Sequence, residues 1–233
     1  MRSKLYDNFT GAGHVKKTRS GKNIRSGKWW VVGDIHGRYD QLMEQLGEVG
    51  FNFKEDILFA LGDLVDRGDK SWECLQLIYE PWFKSILGNH EQLMWDGLHG
   101  LKHLWIQNGG DWWVTGGHFQ HETHKQEACE LILNLPNYRT LHIGDKTVGL
   151  IHASAGTSWP PSKNKLSDYD DPTIWDRKAL YGVMNKVANV DLVVVGHNPV
   201  KEVTKQNNTL LIDTGYATGR LSVLNIEDLI GGV

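Results

Sequence analysis

Acidic residues and histidines flanked by glycine recur along this chain, each close behind an apolar run. Residues 33–37 read GDIHG, residues 62–68 read GDLVDRG and residues 88–91 read GNHE. Two isolated histidines follow later apolar runs in the same way. Carboxylate, amide and imidazole groups are the side chains that bind divalent metal ions. The residues that we predict as metal ligands are Asp34, His36, Asp63, Asn89, His152 and His197.

The number and spacing of these residues fit two metal ions. Asp34 and His36 stand two positions apart after an apolar run, so their side chains can point the same way and bind one ion. Asp63 follows the next run, and its two carboxylate oxygens can bridge a pair of ions. Two ions that share a water lower its pKa from about 16 toward about 7, which makes hydroxide available at neutral pH. The pattern predicts hydrolysis of a phosphate ester by direct attack.

Charge balance at this predicted site favours an anionic substrate. Two divalent ions carry four positive charges, and Asp34, Asp63 and one hydroxide offset three of them. Arg67 stands four residues after Asp63 and adds a further positive charge. Such a site favours a phosphate dianion over a neutral ester.

The first three motifs are separated by alternating strand and helix patterns. Apolar runs predict buried strands at residues 29–32, 57–61 and 83–87, and helical patterns cover residues 42–49 and 71–79 and begin again near Glu91. A unit of strand, motif and helix that repeats three times indicates parallel strands with crossover helices. The motifs then lie at the carboxyl ends of the strands, where open α/β sheets place their sites.

The second half of the chain is predicted to be rich in strands. Residues 97–123 are expected to form an irregular insertion, followed by a helix at 124–133. Asn207 and Asn208 predict a hairpin turn. Further strands are predicted at residues 147–151, 192–195, 209–212 and 221–226. These elements predict an α/β fold in which two sheets pack face to face, flanked by helices, as a single catalytic domain over residues 29–233.

Composition narrows the classes of partner. The net charge is −3, so no global field attracts nucleic acid or an anionic membrane, and neither is expected as a partner. No run of about 18 apolar residues occurs. Two cysteines do not predict a disulfide framework, and together these features predict a cytoplasmic protein. Residues 1–28 form a polar, basic arm that is either solvated or in contact with phosphate groups. The oligomeric state stays open.

The three motifs resemble those of the phosphoprotein phosphatase family of serine/threonine phosphatases, in particular its small bacterial and phage branch. The resemblance runs from Trp30 to Ile226 and includes residues 108–113 (NGGDWW), residues 175–177 (WDR) and residues 212–215 (IDTG). It implies a metallophosphoesterase fold, which is a β-sandwich of two sheets flanked by helices. Pro199 stands where many other metallophosphoesterases have a further histidine ligand, which points away from the nuclease and phosphodiesterase branches.

The resemblance also implies a role for each site residue. Asp34, His36 and Asp63 match the ligands of the first ion, and Mn²⁺ is the metal with which bacterial members are usually most active. The general acid corresponds to His90, which Asp66 orients, and phosphoryl oxygens are bound by residues that match Arg67 and Arg177. The ligands of the second ion correspond to Asp63, Asn89, His152 and His197. The implied substrate is a phosphorylated protein or peptide.

Several alternatives stay open. A dinucleoside tetraphosphate hydrolase has a similar metal site, although such enzymes generally lack an aspartate at position 66. An inactive binding scaffold is the third reading, although scaffolds usually lose ligands that this chain retains. Asp213 either supports the metal site or only ends a strand. The tryptophans Trp112, Trp113 and Trp159 are expected to pack rather than bind substrate. Among the histidines between 97 and 124, a polar loop is favoured over a further metal site.

Overall fold

Two β-sheets pack against each other in the computed structural model, which describes residues 27–161 and 171–231. The first sheet contains β1 (Trp29–Val32), β2 (Ile57–Ala60), β3 (Phe83–Ser85) and β9 (Val223–Asn225) in the order β3-β2-β1-β9. The second contains β4 (Tyr138–Ile143), β5 (Lys146–Ile151), β6 (Leu192–Val195), β7 (Thr204–Gln206) and β8 (Thr209–Leu211) in the order β4-β5-β6-β8-β7.

Parallel pairing dominates the middle of both sheets. In the first sheet β1 pairs with β2 and β2 with β3, all in parallel, while β9 runs antiparallel at the edge. In the second sheet β5, β6 and β8 are parallel, and the antiparallel strands β4 and β7 close its two edges. Parallel neighbours need crossover connections. Those from β1 to β2, from β2 to β3 and from β5 to β6 contain helices, whereas β6 reaches β8 through the edge strand β7.

The two sheets share an apolar core. Val31 and Phe59 of the first sheet meet Val148, Leu150 and Val194 of the second sheet in one buried cluster. A larger cluster lies on the outer face of the first sheet, where α1 (Tyr39–Glu48), α2 (Ser71–Gln76), α3 (Asn89–Asp96) and α6 (Glu122–Leu133) pack. The predicted two-sheet sandwich flanked by helices is therefore confirmed.

Residues 97–123 differ from the prediction of an irregular insertion, which is wrong. They form consecutive helical turns that include α4 (Lys102–Trp105) and α5 (Trp112–Thr115), interrupted at Gly100 and Gly109 by φ angles of 123° and 104°. Glycine adopts such angles without steric cost, so these positions redirect the chain between short helices. The glycine and histidine content of the segment concealed its helical character.

Two strands were missed, and the strands predicted at 83–87 and 221–226 each form over only three residues. The edge strands β4 and β7 alternate polar and apolar residues only weakly, so no buried-strand pattern marks them. The run predicted at 221–226 forms β9 over three residues and then continues into α9 (Ile226–Gly231). The hairpin turn at Asn207 and Asn208 is present between β7 and β8, with Asn207 at φ 55°.

Short helices complete the chain between the later strands, namely α7 (Pro172–Trp175) and α8 (Gly215–Thr218). Among residues 27–161 and 171–231, no helix has the length and apolar character required to span a bilayer. Most of the predicted basic arm, residues 1–26, lies outside the described residues.

Candidate metal centre

The carboxyl ends of five strands converge on one edge of the sandwich. Asp34 follows β1, Asp63 follows β2, and Asn89 opens α3 directly behind β3. His152 follows β5 and His197 follows β6. All of these side chains are buried, with at most 3% of their surface exposed. Parallel pairing within each sheet places these strand ends side by side, as the sequence predicted.

Asp63 lies at the centre of the cluster. Its Oδ2 is 3.6 Å from Nε2 of His36, and its Oδ1 is 3.4 Å from Nε2 of His152. Donor atoms of Asp63, His152 and His197 all lie within 4.8 Å of one another, and the same holds for Asp63, His36 and His90. One carboxylate therefore faces two separate groups of donor atoms, which is the arrangement that a bridging ligand requires.

Asp34 stands beside His36, which belongs to the same group of donor atoms as His90. Its Oδ2 is 4.0 Å from Nε2 of His36, and its two oxygens accept from the backbone N–H of His197 at 3.0 and 3.2 Å. Gly196 permits this contact, because a Cβ there would collide with Oδ1 of Asp34. The backbone of the second sheet therefore holds a carboxylate from the first.

The histidine tautomers leave lone pairs directed into the cluster. His36 donates from Nδ1 to the carbonyl oxygen of Val65 at 2.9 Å, and His152 donates from Nδ1 to that of Leu61 at 2.7 Å. Since a carbonyl only accepts, each Nε2 is unprotonated in the neutral ring. Nε2 of His152 then faces Oδ1 of Asn89, another acceptor, at 3.0 Å.

Two facing acceptors at that distance repel each other unless a cation lies between them. In addition, Nε2 of His197 is buried and has no hydrogen-bond partner among residues 27–161 and 171–231. Burial lowers the pKa of His36 to about 3, so its imidazole is in the neutral, ligating form at physiological pH. These donors fit divalent metal ions.

The electrostatics of the carboxylates in the cluster also fit a bound cation. Burial, together with the neighbouring Asp213 and Asp63, raises the pKa of Asp34 well above its ordinary value. Burial and Asp63 raise the pKa of Asp213 to about 6. A bound cation reverses such shifts, because it stabilises the ionised carboxylates. Asp213 therefore belongs to the electrostatic surroundings of the cluster and does more than end a strand.

An unusual backbone conformation accompanies the cluster. In the described part of the chain, seven residues other than glycine have a positive φ, and five of them are predicted site residues. Non-glycine residues with positive φ are uncommon, and strained residues cluster at functional sites. The five are His36 at 48°, Asp63 at 48°, Asp66 at 74°, Arg67 at 70° and His197 at 58°.

Asp66 and His90 form a buried pair beside Asp63. Nδ1 of His90 donates to Oδ2 of Asp66 at 2.7 Å, and Asp66 is fully buried. The other oxygen of Asp66 accepts from two indole N–H groups, those of Trp105 at 2.9 Å and Trp112 at 2.8 Å. Three donors thus fix this carboxylate, and its orientation fixes the His90 ring.

The sequence did not predict this role for either tryptophan. Trp112 was expected to pack in the core, and no role was predicted for Trp105. The signal for them is the NGG stretch at 108–110. The carbonyl oxygen of Gly109 accepts a hydrogen bond from the backbone N–H of Arg67 at 3.0 Å, and a Cβ at Gly110 would collide with the indole of Trp105. These two glycines let the segment approach the GDLVDRG turn closely enough for both indoles to reach Asp66.

Glu91, the last residue of the GNHE motif, was also missed as a supporting residue. Its Oε2 accepts from the backbone N–H groups of Asp63 at 2.8 Å and Gly88 at 2.9 Å, and its Oε1 accepts from that of Leu64 at 2.8 Å. The contact with Gly88 is half of a capping box at the start of α3, which the motif spacing could have indicated. Glu91 therefore holds the turn that presents Asp63.

Arg67 and Arg177 line one cleft of about 310 Å³ together with Asp34, Asp63 and His197. The Arg67 guanidinium donates to Nε2 of His36 at 2.7 Å and to Nε2 of His90 at 2.9 Å. Arg177 donates to the carbonyl oxygen of His197 at 3.3 Å. All ten residues predicted for the site are thus connected around this cleft, and two arginines supply positive charge at its surface.

The family model for calcineurin-like phosphoesterases matches residues 27–213. This match covers most of the chain and spans both sheets. The chain belongs to the calcineurin-like phosphoesterase family. It is therefore a hydrolase of that family, which uses a dinuclear metal centre, and the predicted resemblance and fold are confirmed.

Relatives of this phosphoesterase carry two kinds of name. The chain is 33% identical over 207 residues to serine/threonine-protein phosphatase 2 of Escherichia coli, covering 85% of this chain and 92% of the relative. It is 45% identical over only 75 residues to a symmetrical bis(5'-nucleosyl)-tetraphosphatase of Actinobacillus pleuropneumoniae, covering 31% of this chain and 28% of that protein. Phosphatase similarity therefore extends over nearly the whole phosphoesterase, while tetraphosphatase similarity is local.

Solved structures share its fold, and two examples carry different kinds of name. A cold-active protein-tyrosine phosphatase of a Shewanella species superposes with a TM-score of 0.59 at 18% identity, covering 85% of this chain and 75% of that one. A putative diadenosine tetraphosphatase superposes with a TM-score of 0.53 at 23% identity, covering 86% and 89%. At these identities the likeness concerns the fold alone.

Proposed function

We propose that this phosphoesterase is a metal-dependent serine/threonine protein phosphatase that acts on phosphorylated proteins or peptides. Support comes from the near full-length similarity to a bacterial enzyme of that name. The observation that carries the proposal is the buried Asp66–His90 pair, with its 2.7 Å hydrogen bond, next to the predicted bridging ligand Asp63.

This pair suits the leaving group of a phosphoserine or phosphothreonine. The alkoxide that leaves such an ester is a strong base, so its departure requires a proton, and a positioned imidazolium supplies one. Asp66 keeps the proton of the neutral ring on Nδ1 and stabilises the imidazolium, as the acidic member of a catalytic triad does. A phosphoanhydride releases a nucleotide phosphate, which is a far better leaving group and needs little protonation.

The other residues divide between holding metal and holding phosphate. Two divalent ions, which we assign as Mn²⁺, would be held by Asp34, His36, Asp63, Asn89, His152 and His197. When bound they would supply an activated water and positive charge for the phosphoryl group. Arg67 and Arg177 line the cleft and are placed to bind the phosphoryl oxygens, with Arg67 also in contact with the acid His90.

Replacing Asp66 with asparagine tests the coupling between Asp66 and His90 through the pH profile. Burial lowers the pKa of His90, but Asp63 and Asp66 outweigh it and raise that pKa overall. Hydrogen bonds to charged groups contribute about 1.5–3 kcal/mol, or about 1–2 pK units. Because His90 acts in its protonated form, Asp66→Asn should move the basic limb of kcat to lower pH by about 1–2 units.

The measurement is kcat against pH for a phosphothreonine peptide. A matched control is Asp191→Asn, which removes a carboxylate paired with Lys146 in the second sheet. A basic limb that stays in place in Asp66→Asn, with kcat unchanged, would remove Asp66 from this role.

Replacing Trp112 with phenylalanine tests whether the indole donors position the pair. The variant retains the ring but loses the 2.8 Å bond to Asp66, so we expect kcat to fall about tenfold with KM little changed. Trp159→Phe is the control, since its indole N–H donates to Thr140 instead. A comparable loss in both variants would indicate general destabilisation, and full activity of Trp112→Phe would show that Trp105 alone suffices.

A second candidate function is hydrolysis of dinucleoside tetraphosphates, which the local similarity to tetraphosphatases favours. The test is a comparison of kcat/KM for phosphoserine and phosphothreonine peptides with that for diadenosine tetraphosphate, in the presence of Mn²⁺. We expect the peptides to be preferred. A preference for diadenosine tetraphosphate would overturn the proposed substrate class, and failure to hydrolyse any phosphate ester would revive a binding scaffold.

A further inference from the structure

A pair of histidines lies outside the candidate metal centre, at the junction of three helices. His118 stands in the turn His118–Gln120 and His124 in α6, and their Nδ1 atoms are 3.2 Å apart. Not every histidine of residues 97–124 belongs to this pair. His99, for example, packs against the Trp95 ring with 33° between the planes and donates to the Trp95 carbonyl oxygen at 2.7 Å.

Aromatic stacking holds both imidazole rings in place. The His118 ring stacks on Trp113 with 27° between the planes and 5.5 Å between centroids. The His124 ring stacks on Trp72 of α2 with 28° between the planes and a centroid distance of 4.7 Å. Both rings are only partly buried, so solvent and small ions can reach them. The stacking fixes the two rings before any ligand arrives, which lowers the entropic cost of binding.

The separation of the two nitrogens matches that of two ligands on one metal ion. Zinc binds imidazole nitrogen at about 2.0–2.1 Å. Two nitrogens bound to the same zinc ion are therefore about 2.9–3.4 Å apart when the N–Zn–N angle lies between about 90° and the tetrahedral angle. The observed 3.2 Å lies within this interval. Two Nδ1 lone pairs cannot face each other at this distance unless a proton or a metal ion lies between them.

We propose that His118 and His124 form a second, auxiliary metal site, which binds a transition-metal dication of the zinc, nickel or copper type. Imidazole suits these ions, whereas Mg²⁺ and Mn²⁺ prefer oxygen ligands. Burial and the neighbouring His124 lower the pKa of His118, which favours the neutral, ligating form.

Further ligands are available around the pair. The His121 ring lies 4.8 Å from that of His124. The carboxylate of Glu73 is close enough to act on the pKa of His118, which it raises, whereas burial and the neighbouring histidines lower it. Both the His121 and the Glu73 side chains are exposed to solvent. In the part of the chain that the structure describes, neither is placed as a third donor, so water or a rotated side chain completes the coordination. Binding displaces the proton that the two Nδ1 atoms share.

The site differs from the catalytic one in position and in ligand type, but Trp112 contacts both. Its ring meets the His118 ring edge-on at 5.5 Å, and its indole N–H donates to Asp66. The proposal does not depend on the protein phosphatase activity, because its test measures metal binding rather than turnover.

The test uses the full-length chain saturated with Mn²⁺ and titrated with Zn²⁺, with bound zinc measured by equilibrium dialysis and elemental analysis. We compare the wild type with His118→Gln/His124→Gln and with a matched control, His142→Gln, whose exposed histidine lies in β4. We expect the double variant to bind one equivalent of zinc fewer than the wild type and the control. Retained manganese is measured in the same samples, which separates this loss from exchange at the catalytic centre.

Tryptophan fluorescence gives a second readout, because Cu²⁺ or Ni²⁺ bound at the pair would quench Trp72 and Trp113. Quenching should saturate with one added equivalent in the wild type and be lost in the double variant. If the double variant does not fold, ¹⁵N spectra of wild-type imidazoles under zinc titration decide, with shifts expected at His118 and His124. Equal zinc stoichiometry in all three proteins, or unshifted imidazole signals, would overturn the proposal and leave only a shared proton between the rings.

Discussion

His90→Asn should lower kcat for alkyl phosphates such as phosphoserine peptides by about 10²- to 10⁴-fold, the usual contribution of a general acid. The imidazole donates to Asp66 at 2.7 Å and lies beside Asp63 and Arg67, and under the proposed function it protonates the departing ester oxygen. Asparagine retains a polar group of moderate size but has no titrating proton. Steady-state kinetics on one phosphopeptide measures the loss.

Aryl phosphates provide the internal control for this variant. A phenolate needs less protonation than an alkoxide, so the loss with an aryl phosphate should be clearly smaller. His142 is an exposed histidine outside the site, so His142→Asn should have the kcat of the wild type with both substrates. Equal losses of His90→Asn on alkyl and aryl substrates would mean that His90 contributes by binding or by folding and not as an acid.

Asp63→Asn should produce the other large effect, a fall in kcat of about 10³-fold or more. Asp63 faces both groups of donor atoms, and a neutral amide would weaken both ions together. Metal ions contribute several kcal/mol to such reactions, and each 1.36 kcal/mol corresponds to about tenfold in rate. Asparagine is the informative substitution because its oxygen can still accept the backbone N–H of His90, which Asp63 now binds at 2.9 Å.

Metal content distinguishes the causes of this loss. Elemental analysis of Asp63→Asn should show fewer than two ions per chain, while Asp191→Asn retains the wild-type number. An Asp63→Asn protein with wild-type activity and wild-type metal content would show that Asp63 does not bridge. Circular dichroism of both variants checks that the sandwich has formed.

The positions of the candidate metal ligands could be predicted from the sequence because each depends on local features. A short apolar run followed by glycine and a carboxylate or histidine places a polar side chain at a strand end, and parallel pairing brings the ends together. Asp34, Asp63 and His197 were found in this way, and the structure places them at one edge of the sandwich. The two-sheet architecture followed from the same runs.

The features that could not be predicted depend on contacts between residues far apart in the sequence. The bonds from Trp105 and Trp112 to Asp66 cross 39 and 46 residues, and nothing in the local pattern distinguishes these indoles from packing residues. The turns of residues 97–123 are stabilised by packing on α3 and α6 rather than by a helical periodicity of their own. The edge strands β4 and β7 are recognisable only through their partners, β5 and β8.

We propose that six side chains from five strand ends bind two metal ions, one on either side of Asp63. The most direct measurement is anomalous diffraction from crystals of the chelated protein after Mn²⁺ has been restored. We expect two manganese peaks in the cleft, one next to His36 and one next to His152 and His197, with Asp63 between them. A single peak, or two peaks away from Asp63, would contradict it.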